Sequence, residues 1–153
     1  MKIKPNFPSQ FSVIICTYNR ANMLGGAVES VVQQSLDPSR FEIIIVDNCS
    51  RDGTREEAAR LQNNYSDHAI RYVYEPNPGL GNARLAGLKI AQAEWLAFLD
   101  DDARAAPGWL AAAAGALRDQ PDLHGLGGPI HPFYLAEKPR SEERRVGKEC
   151  RSR

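Results

Sequence analysis

Three consecutive carboxylates, Asp100, Asp101 and Asp102, follow the apolar run Trp95–Leu99. A run of that length reads as a buried strand. The carboxyl ends of strands are where open α/β sheets bind ligands. In an extended chain positions i and i+2 share a face, so Asp100 and Asp102 are expected to point at one object and Asp101 elsewhere. Two carboxylates about 6–7 Å apart repel by about 2–3 kcal/mol at an effective dielectric near 20. An oxygen-liganded divalent cation that also carries substrate phosphates relieves that repulsion. The competing reading of the triplet is a solvated strand end, or a helix cap ahead of Pro107.

Two earlier strand ends carry polar residues of the same kind. Phe11–Thr17 (FSVIICT) is a β-branched apolar strand that runs into Tyr18, Asn19 and Arg20. Phe41–Val46 (FEIIIV) is the most apolar strand and runs into Asp47 and Asn48, then a turn ending Asp52-Gly53-Thr54. Helical spacing of apolar residues marks Met23–Gln34, with Asn22 a candidate cap, and a weaker helix from Thr54 to Asn63. Ala69–Glu75 alternates and reads as a third strand nearer an edge. A helix over Gly79–Ala93 begins on glycine-rich backbone, which brings N–H groups and the Arg84 guanidinium towards an anion. Trp95–Leu99 is the fourth strand, Trp109–Leu117 an alanine-rich helix, and Gly125–Ile130 a fifth strand interrupted by glycines. Strands alternating with helices predict an α/β fold, a mostly parallel sheet with helices on both faces.

The chain has 153 residues, enough for one domain with a real core. Its hydrophobic share of 42% and charged share of 25% are those of an ordinary globular protein. Zero formal net charge gives no global attraction to nucleic acid or to a membrane surface. The three cysteines, Cys16, Cys49 and Cys150, are odd in number and widely spaced, which suits a reducing, cytoplasmic compartment. Residues 1–10 read as a polar leader, 11–137 as the domain, and 138–153 as a basic tail that is disordered or non-native. No stretch has the apolar length of a membrane span. Peripheral attachment at the inner membrane face, or an oligomer that covers an open sheet edge, is compatible with the sequence.

The segments SVIICTYNR, IIIVDNCSRDGT, NPGLGNARLAGLKIA and FLDDDARAAPGWL, in this order and spacing, resemble the nucleotide-sugar half of family 2 glycosyltransferases. The resemblance covers about Phe11–Ile130 and implies a Rossmann-like GT-A fold, incomplete at its C-terminus. It implies that Thr17, Tyr18 and Arg20 cradle the nucleotide base and ribose. Asp47 and Asn48 become the strand-end pair, one of which bonds the base, and Asp52 supports its loop. Arg84 lies near the diphosphate. Asp100 and Asp102 hold a divalent cation, Mg²⁺ or Mn²⁺, with the sugar diphosphate, and Asp101 contacts ribose. The implied reaction is inverting transfer of a sugar from a nucleotide-diphosphate donor to the hydroxyl of a carbohydrate or glycolipid acceptor, with a carboxylate base that these residues do not supply. The alternative is a fragment that binds the donor and transfers nothing. A nucleotidyltransferase is disfavoured, because CTYNRAN lacks an early glycine-rich phosphate loop.

Overall fold

The computed structural model describes residues 10–133. Most of the expected leader and the whole expected tail lie outside the described residues. The chain divides after Asp122 into two compact units. The first contains β1 (Phe11–Thr17), α1 (Ala21–Val32), β2 (Phe41–Asp47), α2 (Thr54–Asn64), β3 (Ile70–Tyr74), α3 (Leu80–Ile90), β4 (Trp95–Phe98) and α4 (Trp109–Asp119). The described part of the second, residues 123–133, holds neither helix nor strand.

The four strands form one parallel sheet in the order β3-β2-β1-β4. Alternate residues of β1 and β2 face opposite sides of this sheet. Phe11, Val13 and Ile15, with Phe41, Ile43 and Ile45, pack against Leu24, Val28 and Val31 of α1, Leu61 of α2 and Leu110 of α4. Ile14, Ile44 and Val46 pack against Ala83 and Ala86 of α3. Each fully buried aliphatic side chain contributes about 1.5–3 kcal/mol. The expected mostly parallel α/β sheet, with helices on both faces, is therefore present.

Two strand expectations need correction. Gly125–Ile130 is not a strand. Gly125, Gly127 and Gly128 offer no side chain to pack, and Pro129 removes a ladder donor. The run Trp95–Leu99 is not a fully buried strand either. β4 pairs only with β1 among the described residues, and Leu96 and Phe98 stay 38% and 44% exposed. An apolar run carries no information about what covers it.

The amino end of the sheet is pinned by a polar cluster around a buried carboxylate that the sequence pattern did not reveal. Glu42 is completely buried. Its carboxylate accepts from the Ser12 hydroxyl (2.6 Å), the Gln92 N–H (2.8 Å) and Arg71 Nη1 (3.1 Å). Arg71 Nη1 also donates to the Ile90 carbonyl (2.7 Å). The turn from α3 into β4 is thereby tied to β1, β2 and β3.

On the other sheet face α3 approaches closely because Gly87 has no side chain. A Cβ there would lie 2.7 Å from Ile14 Cγ2 and 3.2 Å from Val46 Cγ2. Gly87→Ala is expected to destabilise the fold by about 1–3 kcal/mol through overpacking, read as a lower urea midpoint at unchanged slope.

Candidate functional site

The register of the sheet sets Thr17 beside Asp47 at the carboxyl ends of β1 and β2. The loops that follow are cross-linked into one surface. Asn19, in the left-handed region at φ 52°, accepts from the Arg51 N–H (2.7 Å), and its own N–H donates to Ser50 Oγ (2.9 Å). Asp52 bridges two helix starts. Its Oδ2 accepts from the Ala21 N–H of α1 (3.0 Å), and its Oδ1 accepts from the N–H (3.1 Å) and hydroxyl (2.5 Å) of Thr54 in α2. Such caps satisfy donors that a helix leaves orphaned.

Asp47 is buried and both its oxygens are engaged. Oδ1 accepts from the Ser50 N–H (2.9 Å) and Oδ2 from the Tyr72 hydroxyl (2.8 Å). Burial, then the Asp47 carboxylate, raises the Tyr72 phenol above its ordinary range and keeps it a donor. Asp47, Ser50, Asp52, Arg55, Tyr72 and Tyr74 line a cavity of about 400 Å³. Thr17 is 3% exposed, and its hydroxyl has no hydrogen-bond partner among the described residues.

Asn48 acts as a clamp. Its amide donates to the carbonyls of Glu75 (3.2 Å) and Asn77 (2.7 Å), and its oxygen accepts from the Gly79 N–H (2.7 Å). Gly79 at φ 125° then opens α3, a backbone conformation suited to glycine. The same loop is held by Cys49, whose thiol donates to the Glu75 and Pro76 carbonyls. Cys16 is a partly buried thiol that burial pushes up to about 11, so it is no ready nucleophile.

The acidic triplet is held along α1. The strand ends at Phe98, and the Ala103 N–H bonds the Asp100 carbonyl (3.0 Å), which makes a turn of the triplet. The extended alternation expected there is absent, so strand geometry does not group Asp100 with Asp102. Instead Arg20 Nη1 lies 3.0 Å from Asp101 Oδ1 and 2.8 Å from Asp102 Oδ2. Asp101 is buried, whereas Asp100 and Asp102 are exposed. Further along α1, Ser30 Oγ accepts from the Ala105 N–H. Gln34 donates to the Ala106 carbonyl and accepts from the Leu110 N–H. These two side chains fix the segment between the triplet and α4.

Tyr18 stands 57% exposed at the end of β1. Arg84 is exposed on α3, its guanidinium 5.6 Å from the centre of the Phe98 ring. The structure thus joins Arg20 directly to Asp101 and Asp102 and sets Thr17 beside Asp47. It turns Arg84 onto Phe98. Asn19, Ser50, Ser30 and Gln34 were not singled out from sequence. Asn and Ser next to strand ends signal turn chemistry, but their partners lie 31 to 76 residues away.

The carboxylates fit a hard divalent cation. Oxygens of Asp101 and Asp102 already converge on a single cationic nitrogen, and Asp100 sits in the same turn. Among the described residues no group of three or more His, Cys, Asp or Glu could hold a metal by itself. A cation such as Mg²⁺, which keeps waters and takes one or two carboxylates plus phosphates, suits this donor set.

A family model described as glycosyl transferase family 2 matches residues 12–145. The chain is 30% identical over 132 residues to the glucosyl-dolichyl phosphate glucuronosyltransferase of Haloferax volcanii, covering 84% of this chain and 40% of that protein. It superposes on S. aureus TarS residues 1–349 in complex with UDP at a TM-score of 0.69 and 26% identity, covering 79% of this chain and 38% of that 1–349 chain. The mannosyltransferase PcManGT from Pyrobaculum calidifontis, in complex with GDP-Man and Mn²⁺, gives a TM-score of 0.69 at 28% identity, covering 76% and 34%. The sheet and these matches define a GT-A type of fold. The chain belongs to glycosyl transferase family 2. It spans about two fifths of the length of these relatives.

Asn48→Ala removes three hydrogen bonds at a largely buried position and is expected to cost about 2–3 kcal/mol, measured by urea denaturation. The Thr54 hydroxyl, then the Ala21 N–H, hold the Asp52 carboxyl below its usual range. A depressed folded pKa contributes stability above the unfolded value, about 3.9, and loses it as pH falls through the folded value. The stability gap between wild type and Asp52→Asn is therefore expected to be widest near pH 7 and to shrink below about pH 4, measured by urea melts across that range.

Proposed function

We propose that this chain is the donor-binding part of a metal-dependent glycosyltransferase that moves a sugar from a nucleoside diphosphate to an acceptor hydroxyl with inversion. The observation that carries this reading is the convergence of Arg20, Asp101 and Asp102 beside the polar ends of β1 and β2, within a family 2 fold. Two relatives of similar fold are described with UDP and with GDP-Man and Mn²⁺, which supports a nucleotide donor and a divalent cation here.

Thr17, Tyr18 and Arg20 lie in the loop that would cradle base and ribose. The unpartnered Thr17 hydroxyl supports this, because a buried polar atom favours a partner. Asp47 faces the 400 Å³ cavity and keeps acceptor capacity for a base N–H beyond its two internal bonds. Asn48, as the clamp of the Glu75–Gly79 loop, holds the start of α3, from which Arg84, over the Phe98 ring in the free protein, would turn towards the diphosphate. Asp101 contacts ribose. Asp102, aided by Asp100 in the same turn, would hold Mg²⁺ or Mn²⁺, which would act as a Lewis acid for the negative charge on the departing diphosphate. Asp52 positions the loops and touches no ligand.

The acceptor, a carbohydrate or glycolipid, and the carboxylate base would be engaged by other parts of the whole protein. Cys16 and Cys49 are free thiols, which supports a reducing, cytoplasmic site of action. Among the described residues no helix is long and apolar enough to cross a membrane.

Calorimetric titration with UDP and with GDP is expected to show binding by at least one of them that depends on Mn²⁺. Asp102→Asn is expected to weaken that binding about tenfold or more. Folded protein that binds neither nucleotide in the presence of Mn²⁺ would sink the proposal.

A further inference from the structure

We infer that Arg20 is a resident counter-cation of the donor site, which a divalent cation must displace from Asp102 and which then serves the donor diphosphate; this rests on the donor-site reading above. One guanidinium nitrogen bonds both Asp101 Oδ1 and Asp102 Oδ2. It therefore occupies Oδ2, one of the two oxygens that Asp102 would offer a metal. A divalent cation and a guanidinium cannot share that oxygen without strong like-charge repulsion.

The two carboxylates hold Arg20 unequally. The Asp101 side chain is 8% exposed and that of Asp102 50% exposed. The buried partner acts as a tether. The exposed partner is open to an incoming ion from solvent. Arg20 is itself half exposed, so its side chain has room to swing.

The position of Arg20 adds a second asymmetry. It is the N-cap of α1, whose first turn contains no acidic residue. A cation at the positive end of a helix is unfavourable unless carboxylates compensate. When Asp102 is taken by a metal, the guanidinium stays tethered to Asp101 but loses one of its two carboxylates. Its planar fork of N–H donors matches a diphosphate. Metal and nucleotide would then bind with positive coupling, because each completes the exchange that the other begins. Such coupling is reciprocal and typically 5- to 150-fold.

The experiment measures Mn²⁺ binding by electron paramagnetic resonance, with and without UDP or GDP. Wild type, Arg20→Gln, Arg20→Lys and Asp102→Asn are compared, with circular dichroism confirming the fold. Arg20→Gln is expected to bind Mn²⁺ alone about fivefold more tightly than wild type and to show a smaller gain on adding nucleotide. Arg20→Lys, which keeps the charge, is expected to stay within about twofold of wild type. Wild-type binding that Asp102→Asn abolishes but Arg20→Gln does not tighten overturns this inference and leaves the donor-site reading standing. Wild-type Mn²⁺ binding that is absent or insensitive to Asp102→Asn overturns both. A second readout needs no variant. In wild type the Arg20 guanidinium resonances should report the bond to Asp102, and NMR should show them shift as Mg²⁺ saturates the site. Unchanged Arg20 guanidinium resonances at saturation overturn the inference even where Arg20→Gln does not fold.

Discussion

The arrangement of β1 governs this molecule. It is paired on both sides, to β2 along its whole length and to β4 over four residues. Its last residue is aligned with Asp47, and the β4 pairing delivers the acidic triplet to the same end of the sheet. Once that register forms, a one-residue slip would carry every core side chain to the wrong face. The candidate site is thus a consequence of strand pairing before it is a matter of any single loop.

Polar side chains then turn that alignment into fixed geometry. Asp52 caps two helices, Asn48 ties the end of β2 to the start of α3, and Gln34 ties α1 to the segment before α4. Asn48 and Gln34 are buried, where an unmade hydrogen bond costs more than a made one returns, and the exposed Asp52 accepts from the buried Thr54. The loops carrying the candidate ligand contacts are therefore held by side chains that need not touch a ligand themselves.

Periodicity and turn chemistry made most of this fold legible. The strand Phe11–Thr17 is found with the expected bounds, and the other helices and first four strands fall within a few residues of expectation. The failures have physical causes. Gly125–Ile130 had apolar residues but too many glycines to hold a ladder. The triplet Asp100–Asp102 was read by strand alternation, yet the chain turns after Phe98, and the pair that converges is Asp101 with Asp102. Arg20 and the acids were each visible as candidates, but their ion pair spans more than 80 residues and leaves no local trace. The same holds for Glu42, which looks like a polar residue in an apolar strand until Ser12 and Arg71 surround it.

That buried Glu42 and the exposed Arg20 pair sit at opposite ends of the sheet, and the surrounding medium reaches them differently. Glu42 is wholly shielded from water, whereas Arg20 and Asp102 are each half exposed. Mobile ions screen exposed charges strongly and buried ones far less. Raising ionic strength should loosen the grip on the carboxylates at the working end while the anchor at the other end holds. The protein's salt response is in this way built into the depth at which its two ion pairs lie.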